Sequence, residues 1–485
     1  MKRFRSGTAL ALLAILSSCG GGGSGSGGGG GVGSPPTGSV PPPPPPPTAS
    51  ACSLSARQNW AAAQLKEWYL FPETLPTNLN PASYSTVEAY IDALTATARS
   101  QRRDRFFTYL TSIKEENAFF NSGSSAGFGV RFSYDTTQNR VFVIEAYEGA
   151  PALAAGIDRG TELLAVGTSA GNLQLVSQLM ASGGPQAVSD ALGPGNPGVT
   201  RVLRVSAPGG PAREVSVTKA DYELTPVSSR YGAKIIDDGG RKVAYVNLRT
   251  FINTADPALR NAFASFKAAG VTDIVVDVRY NGGGLVSIAE LIGDLMGANR
   301  APTDVFSFTT FRPEKSSNNS TRFFKPQPQS IAPTRIAFIG TGSSASASEL
   351  IINAFIPYYH KNEALVGSNT YGKPVGQIAL DQAVCDDRLR VVAFKTENVA
   401  RQGDYYNGLA SVVEASCAAG DDLTHQLGDP LETSTRAALD FLAGRVCTPI
   451  SASAGGFTAQ GAGGKREPLM SERPSVAQRE APGTF

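Results

Sequence analysis

The sequence predicts an α/β core preceded by a small β-domain and a helical N-terminal unit, and three observations carry that prediction. From about Tyr222 to Phe441, apolar strand-like runs alternate with amphipathic helical segments, the pattern of helices packed on a sheet. From about Ser124 to Lys219 the chain reads as short strands broken by Gly, Pro and Asp. From Ser53 to about Phe120, large apolar residues recur at helix-face spacings, with a Pro/Asn-rich break in the middle.

The chain begins with an address. Lys2, Arg3 and Arg5 form a basic region, and Ala9 to Leu16 is an apolar run too short to span a bilayer, as in a secretory signal peptide. Leu16-Ser17-Ser18-Cys19 follows and resembles the lipobox of bacterial lipoproteins, which implies that Cys19 is the lipidated first residue after cleavage. Residues 20–50 are a Gly/Ser coil and then the proline run Pro41 to Pro47, a flexible-then-stiff tether suited to holding a domain clear of a membrane.

The 485 residues are 41% hydrophobic, enough for real cores, with 43 Lys plus Arg against 41 Asp plus Glu. A net charge of +2 offers no electrostatic case for nucleic acid. Only two histidines, His360 and His425, are present, so histidine chemistry has few candidates. Export places Cys52, Cys385, Cys417 and Cys447 where disulfides persist. The expected pairing is Cys385 with Cys417, tying one loop, and Cys52 with Cys447, clipping the chain ends. No CxxC spacing supports zinc, and neither a metal nor a cofactor is expected.

Within the helical unit, residues 51–122, Trp60, Leu65, Trp68 and Tyr69 share one face, and Val87, Tyr90, Ile91 and Leu94 another. The β-domain takes 123–220 and the α/β core 221–447. In the core, Lys242 to Val246, Asp273 to Val278 and Arg335 to Ile339 read as strands. Asp256 to Ala269, Ser287 to Met296 and Ser346 to Phe355 read as helices. Residues 448–485, rich in Gly, Pro, Ser and charge, are expected to be disordered.

Three core segments carry chemistry. Ser344-Ala345-Ser346-Ala347-Ser348-Glu349 lies at a strand-to-helix turn. There the orphan N–H groups and the dipole of a helix N-terminus can stabilise an oxyanion, although serine at a helix start is also an ordinary N-cap. Asn281-Gly282-Gly283-Gly284 follows a buried strand; its glycines leave backbone N–H groups unshielded, as a tight turn also would. Tyr371-Gly372-Lys373-Pro374-Val375-Gly376-Gln377 sets a lysine between Gly and Pro in an apolar stretch, a held amine or an exposed loop lysine.

Taken in order, these segments resemble the S41 family of serine peptidases, the C-terminal processing proteases. Asp277-Val278-Arg279-Tyr280-Asn281-Gly282-Gly283-Gly284 matches the family's strand and glycine turn. Ser344 to Glu349 matches its nucleophile motif, and Tyr371-Gly372-Lys373 stands 27 positions after Ser346. The resemblance implies Ser346 as nucleophile, Lys373 as general base and Gln377 orienting the amine, with an oxyanion hole from Ala347 and Gly283 or Gly284. It implies a crotonase- or ClpP-like sheet with flanking helices. Pro374 stands where the family often has glycine. The segment 123–220 resembles a PDZ domain, with Gly127, Phe128, Gly129 and Val130 as its carboxylate-binding loop, beside an edge strand open to an added peptide.

A free lysine near 10.4 is a poor base, and lowering it towards 7 costs on the order of 4–5 kcal/mol, mostly desolvation. The resulting expectation is an exported, lipid-anchored serine endopeptidase of the bacterial envelope, at the outer membrane. It would act on polypeptides through their C-termini and engage no nucleic acid. The alternatives are a non-catalytic lipoprotein of the same fold used as a binding scaffold, a hydrolase of small esters, and a surface-adhesion lipoprotein.

Overall fold

Five of the six strands of the central sheet run parallel. Their order is Ala233–Asp238, Arg241–Asn247, Asp273–Asp277, Arg335–Gly340, Glu363–Gly367 and Ser416–Ala418, with only the first antiparallel to its neighbour. The computed structural model describes residues 51–451 and 466–485; Cys19, the signal segment and the tether lie outside the described residues. The parallel strands read as continuous apolar runs because both faces are covered. Helices Ala255–Ala268, Val286–Met296 and Ala347–Tyr359 bury one face, through Phe263, Ile292 and Ile351 among others. Helix Thr433–Leu442 covers the other, against Val275, Ile339 and Val366. The core elements therefore fall where the sequence places them.

A second sheet was not evident from the sequence. Strands Tyr109–Ser112, Asp387–Glu397, Val305–Phe311 and Ser320–Phe323 form it, with Val375–Gln382 also paired to Asp387–Glu397. The helical unit packs on this sheet: Leu65, Tyr69 and Ile91 share one core with Leu389, Val391 and Val392. It is thus continuous with the α/β core rather than a free-standing cap.

The disulfides differ from the expected pairing. Cys52 bonds Cys385 and Cys417 bonds Cys447, with Cα–Cα separations of 5.5 and 5.3 Å. The cause is tertiary. Docking of helix Leu54–Trp68 on the second sheet brings its start to the Cys385 turn, where Gln382 Nε2 reaches the Ala51 carbonyl at 3.3 Å. Cys417 lies on the last strand of the central sheet, beside the returning chain, where Ala418 N–H donates to Thr448 O at 2.7 Å.

The β-domain strands Val130–Asp135, Arg140–Ala146, Glu162–Gly167, Thr200–Ser206 and Ala212–Thr218 pair antiparallel in that order. The Gly/Pro-rich stretch that breaks the strand pattern is the helix Val176–Leu192, kinked at Gly184 ahead of Pro185. Ser124–Gly127 pairs with Ala220–Glu223 and closes the neck of the domain. The expected disorder of the tail does not hold for residues 466–485, which form a strand Arg466–Pro468, a short helix Val476–Glu480 and a docked end. Leu469 and Phe485 enter the β-domain's apolar core, contacts too few and too scattered in sequence to show as periodicity. Among the described residues, no helix is long and apolar enough to cross a membrane.

Candidate active site

Three adjacent parallel strands, Asp273–Asp277, Arg335–Gly340 and Glu363–Gly367, each end in one of the segments singled out above. Loops at the carboxyl ends of such strands are the usual place for a site in an α/β sheet. Residues 281, 346 and 373 are thereby gathered across the top of neighbouring strands.

The serine turn is not an ordinary cap. N-cap residues are extended, as Ser53 and Ser112 are here, at φ −63° and −75°. Ser346 sits at φ 55°, ψ −113°, a conformation costly for any side chain and found where a site over-determines the backbone. The surrounding bonds supply that constraint. Ser344 Oγ donates to Val278 O at 2.8 Å, Ser348 Oγ donates to Asn281 O at 2.9 Å, and Ala345 N–H donates to the same carbonyl at 3.0 Å. The Ser346 loop is therefore stitched to the glycine turn.

Glu349 joins the serine to the lysine. Its buried carboxylate accepts the Ser346 N–H at 3.1 Å and the Lys373 N–H at 2.7 Å on Oε2, and the Gly372 N–H at 2.6 Å on Oε1. Burial pushes this carboxyl up, and the bonds from Thr370, Lys373, Gly372 and Ser346 pull it down. Tyr371 N–H adds a main-chain bond to Ser344 O at 2.9 Å.

Lys373 is half-buried. Its Nζ lies 4.9 Å from the Phe107 ring centre and donates to Gln377 Oε1 at 3.0 Å. Gln377 in turn donates through Nε2 to the Phe107 carbonyl, which fixes its oxygen towards the amine. Burial lowers the lysine from its ordinary value; carboxylates of Glu480 and Asp104 oppose that shift. Arg105 of the helical unit stacks 3.9 Å from the Tyr371 ring centre and donates to Gly372 O at 2.6 Å, holding the lysine loop. Sequence reasoning assigned no role to Glu349 or Arg105. Glu349 had a signal, a carboxylate three residues after the serine as in a capping box; Arg105 had none.

In the glycine turn, Gly283 has φ 121°, and a Cβ there would lie 2.8 Å from Ser346 Cβ and 3.2 Å from the Ala347 nitrogen. A side chain would therefore displace the serine. The Gly283 N–H donates to Asn281 Oδ1 at 2.9 Å, and Gly284 packs on the Phe251 main chain. The Gly282 N–H, which sequence reasoning did not single out, meets an incoming carbonyl, that of Glu480, at 2.9 Å. A cavity of about 690 Å³ opens here, with Phe107, Tyr109, Tyr371 and Lys373 on its walls.

The β-domain loop Gly127–Val130 lies apart from the serine but is linked to it. Arg131, buried, donates to the Tyr280 carbonyl, and through Nη2 to Arg249 O at 3.0 Å. Gly129, at φ 74° with no room for a Cβ beside Ala150, donates its N–H to Phe485 O at 2.8 Å. The histidines are engaged elsewhere: His360 with Glu414 and His425 with Asp422, each at 2.6 Å. No cluster of three or more His, Cys, Asp or Glu is placed to hold a metal among the described residues.

The fold and the site together set a constrained serine and a partly desolvated lysine on loops at the carboxyl ends of a parallel sheet. Residues 242–403, which contain all three segments, match the model of peptidase family S41, and the chain carries an S41 peptidase domain. A chloroplastic C-terminal processing peptidase of Tetradesmus obliquus is 29% identical over 280 residues, covering 54% of each chain. A carboxyl-terminal-processing protease of Synechocystis is 24% identical over 330 residues, covering 67% of this chain and 70% of the relative. The chain thus spans only about half the length of the first of these relatives. A crystal structure from Bacteroides fragilis assigned to the S41 proteases superposes with a TM-score of 0.60 at 21% identity, covering 79% of this chain and 97% of that one. It shares the fold.

Proposed function

We propose that the protein is an exported serine endopeptidase with Ser346 as nucleophile and Lys373 as general base. One observation carries the reading: a single buried oxygen, Glu349 Oε2, holds the backbones of Ser346 and Lys373, while Ser346 itself is strained. A mere N-cap accounts for the bond from the Ser346 N–H, but not for the same oxygen holding Lys373 or for the positive φ. In the reaction, the neutral Lys373 Nζ accepts the Ser346 hydroxyl proton as Oγ attacks the peptide carbonyl carbon. The oxyanion is received by main-chain N–H groups of Ala347 and of Gly282 or Gly284, the Gly283 N–H being held by Asn281 Oδ1. The protonated lysine then passes its proton to the leaving amine, and a water activated in the same way hydrolyses the acyl-enzyme. Gln377 keeps the amine oriented throughout.

The β-domain supplies PDZ-like recognition of a substrate end, with Gly127, Phe128, Gly129 and Val130 as the receiving loop. The names of the two relatives, as processors of C-termini, support that reading. Lipidation at Cys19 would tether the enzyme to the bacterial envelope, at the outer membrane. The test is cleavage of an unfolded protein with an apolar C-terminus by wild type, Ser346→Ala and Lys373→Ala. Both variants are expected to be inactive while folded; cleavage by both at the wild-type rate overturns the dyad.

A further inference from the structure

The open edge of the β-domain, strand Val130–Asp135, is already covered, and residues 466–485 cover it. Arg466–Pro468 pair antiparallel with Asp135–Ser133, and Leu469 N–H donates to Phe132 O at 3.0 Å. The chain then leaves the edge and returns at Gly483, whose carbonyl accepts the Phe132 N–H at 2.8 Å. Phe485 N–H donates to Val130 O at 2.9 Å, and the Phe485 main-chain oxygen accepts the N–H of Gly129 at 2.8 Å and of Val130 at 3.3 Å. Its ring enters the apolar core of the domain, 6.0 Å from the Phe132 ring, leaving the residue 8% exposed. An added strand occupies a peptide groove in this way, with main-chain bonds along the edge and a pocket for the end residue.

Between the two anchored stretches, residues 470–482 loop out over the serine site. The Glu480 carbonyl takes the Gly282 N–H at 2.9 Å. Arg479 stacks 3.7 Å from the Tyr109 ring centre, and Val476 and Ala477 pack on Phe119 and Ile252. This stretch is wound as the helix Val476–Glu480, begun by Ser475 accepting the Gln478 N–H at 3.2 Å. A peptidase draws an extended chain past its nucleophile, whereas a helix folds its peptide groups into its own turns, as in the Ala481 N–H to Ala477 O bond of 2.7 Å. The segment therefore walls one side of the cavity at the site, through Met470, Arg479 and Glu480, without presenting a bond for cleavage.

We infer that residues 466–485 are a resident occupant of the peptide groove and a cover over one side of the Ser346 site, and that a polypeptide bringing an apolar aromatic residue to the same pocket opens the site by displacing Phe485. The geometry stands by itself; its consequence for cleavage rests on the peptidase reading proposed above. Because the occupant is tethered, an incoming chain competes with a high effective concentration. A second effect acts in the same direction: the Glu480 carboxylate favours the charged form of Lys373, which cannot act as a base.

The test compares the unaltered chain with Phe485→Asp, whose charged side chain does not fit the apolar pocket. A fluorescent peptide ending in Gly-Thr-Phe is expected to bind the variant at least about tenfold more tightly, about 1.4 kcal/mol. Hydrolysis of an unfolded protein is expected to rise by a similar factor. Equal peptide affinity in the two chains overturns the inference. If Phe485→Asp does not fold, Gly483→Ala applies the same test, since a Cβ there would lie 2.6 Å from Phe132 O. Equal cleavage rates in both chains overturn the covering of the site. An affinity difference with no cleavage by any chain overturns the peptidase reading instead and leaves the resident occupant standing.

Discussion

Two helices of this chain begin alike in sequence and differ in backbone. Ser346 precedes Glu349 and Ser475 precedes Gln478, and in both the third side chain reaches back to the serine N–H, at 3.1 and 3.2 Å. Ser475 is extended at φ −65°, and its hydroxyl caps the helix. Ser346 is turned to φ 55°, in a loop fastened to the glycine turn and to the lysine loop. The same four-residue pattern is thus an extended cap in one place and, in the other, a strained turn at the proposed nucleophile. The difference is made by what surrounds the turn.

Substitution by glycine separates the two most sharply. Ser346→Gly should abolish cleavage, by about 10⁴-fold, and yet raise stability by about 1 kcal/mol in urea denaturation, because glycine relieves the positive φ. Ser475→Gly should change stability by only a few tenths of a kcal/mol. If Ser346→Gly destabilises the fold, the strain argument is wrong.

Next in size is the carboxylate that the tail helix lacks. Glu349→Gln keeps the shape but sets an NH₂ group either against the Gly372 N–H or against those of Ser346 and Lys373. It should lower kcat about 10²-fold through misplacement of the serine and lysine and cost about 2 kcal/mol of stability. A change in KM alone would deny Glu349 its positioning role.

The pH profile probes the lysine. Only neutral Lys373 accepts a proton, so activity should rise with pH, with a midpoint below the ordinary lysine value of about 10.4. Facing the amine are Glu480 and Arg479 from the tail, Asp104 from the helical unit and Arg390 from the second sheet. The carboxylates favour the charged form and the arginines oppose it. Glu480→Gln removes one carboxylate, so the rising limb should move to lower pH; a shift to higher pH would contradict the assignment. The smallest effect is expected for Ser475→Ala, which loses the cap of the tail helix, about 1 kcal/mol. It should speed cleavage a few-fold by loosening residues 470–482, read as an initial rate beside wild type.

Much of the core was legible because its cause is local. Parallel strands buried on both faces are apolar throughout, so Asp273–Asp277 and Arg335–Gly340 stand out, and the segments following them mark the site. The second sheet was less visible: strands such as Tyr109–Ser112 and Ser320–Phe323 are short and lack a buried face, and the first acquires meaning only from Asp387–Glu397, far along the chain. Arg105 was invisible for the same reason, since its acceptors are the carbonyls of Tyr371 and Gly372.

Composition and period were enough for the α/β core and the β-domain, because their elements depend on neighbours along the chain, while the candidacy of Ser346, Lys373 and Gln377 rested on the resemblance of their segments to the S41 peptidases. Three matters depended on distant contacts. The disulfides are Cys52–Cys385 and Cys417–Cys447, because docking of the first helix and the last strand, not loop length, brings sulfurs together. The serine is more than a cap because Glu349 and the glycine turn force its φ positive. Residues 466–485 are ordered because an open strand edge and an apolar pocket in another domain receive them, a complementarity that no stretch of polar, proline-rich sequence displays on its own.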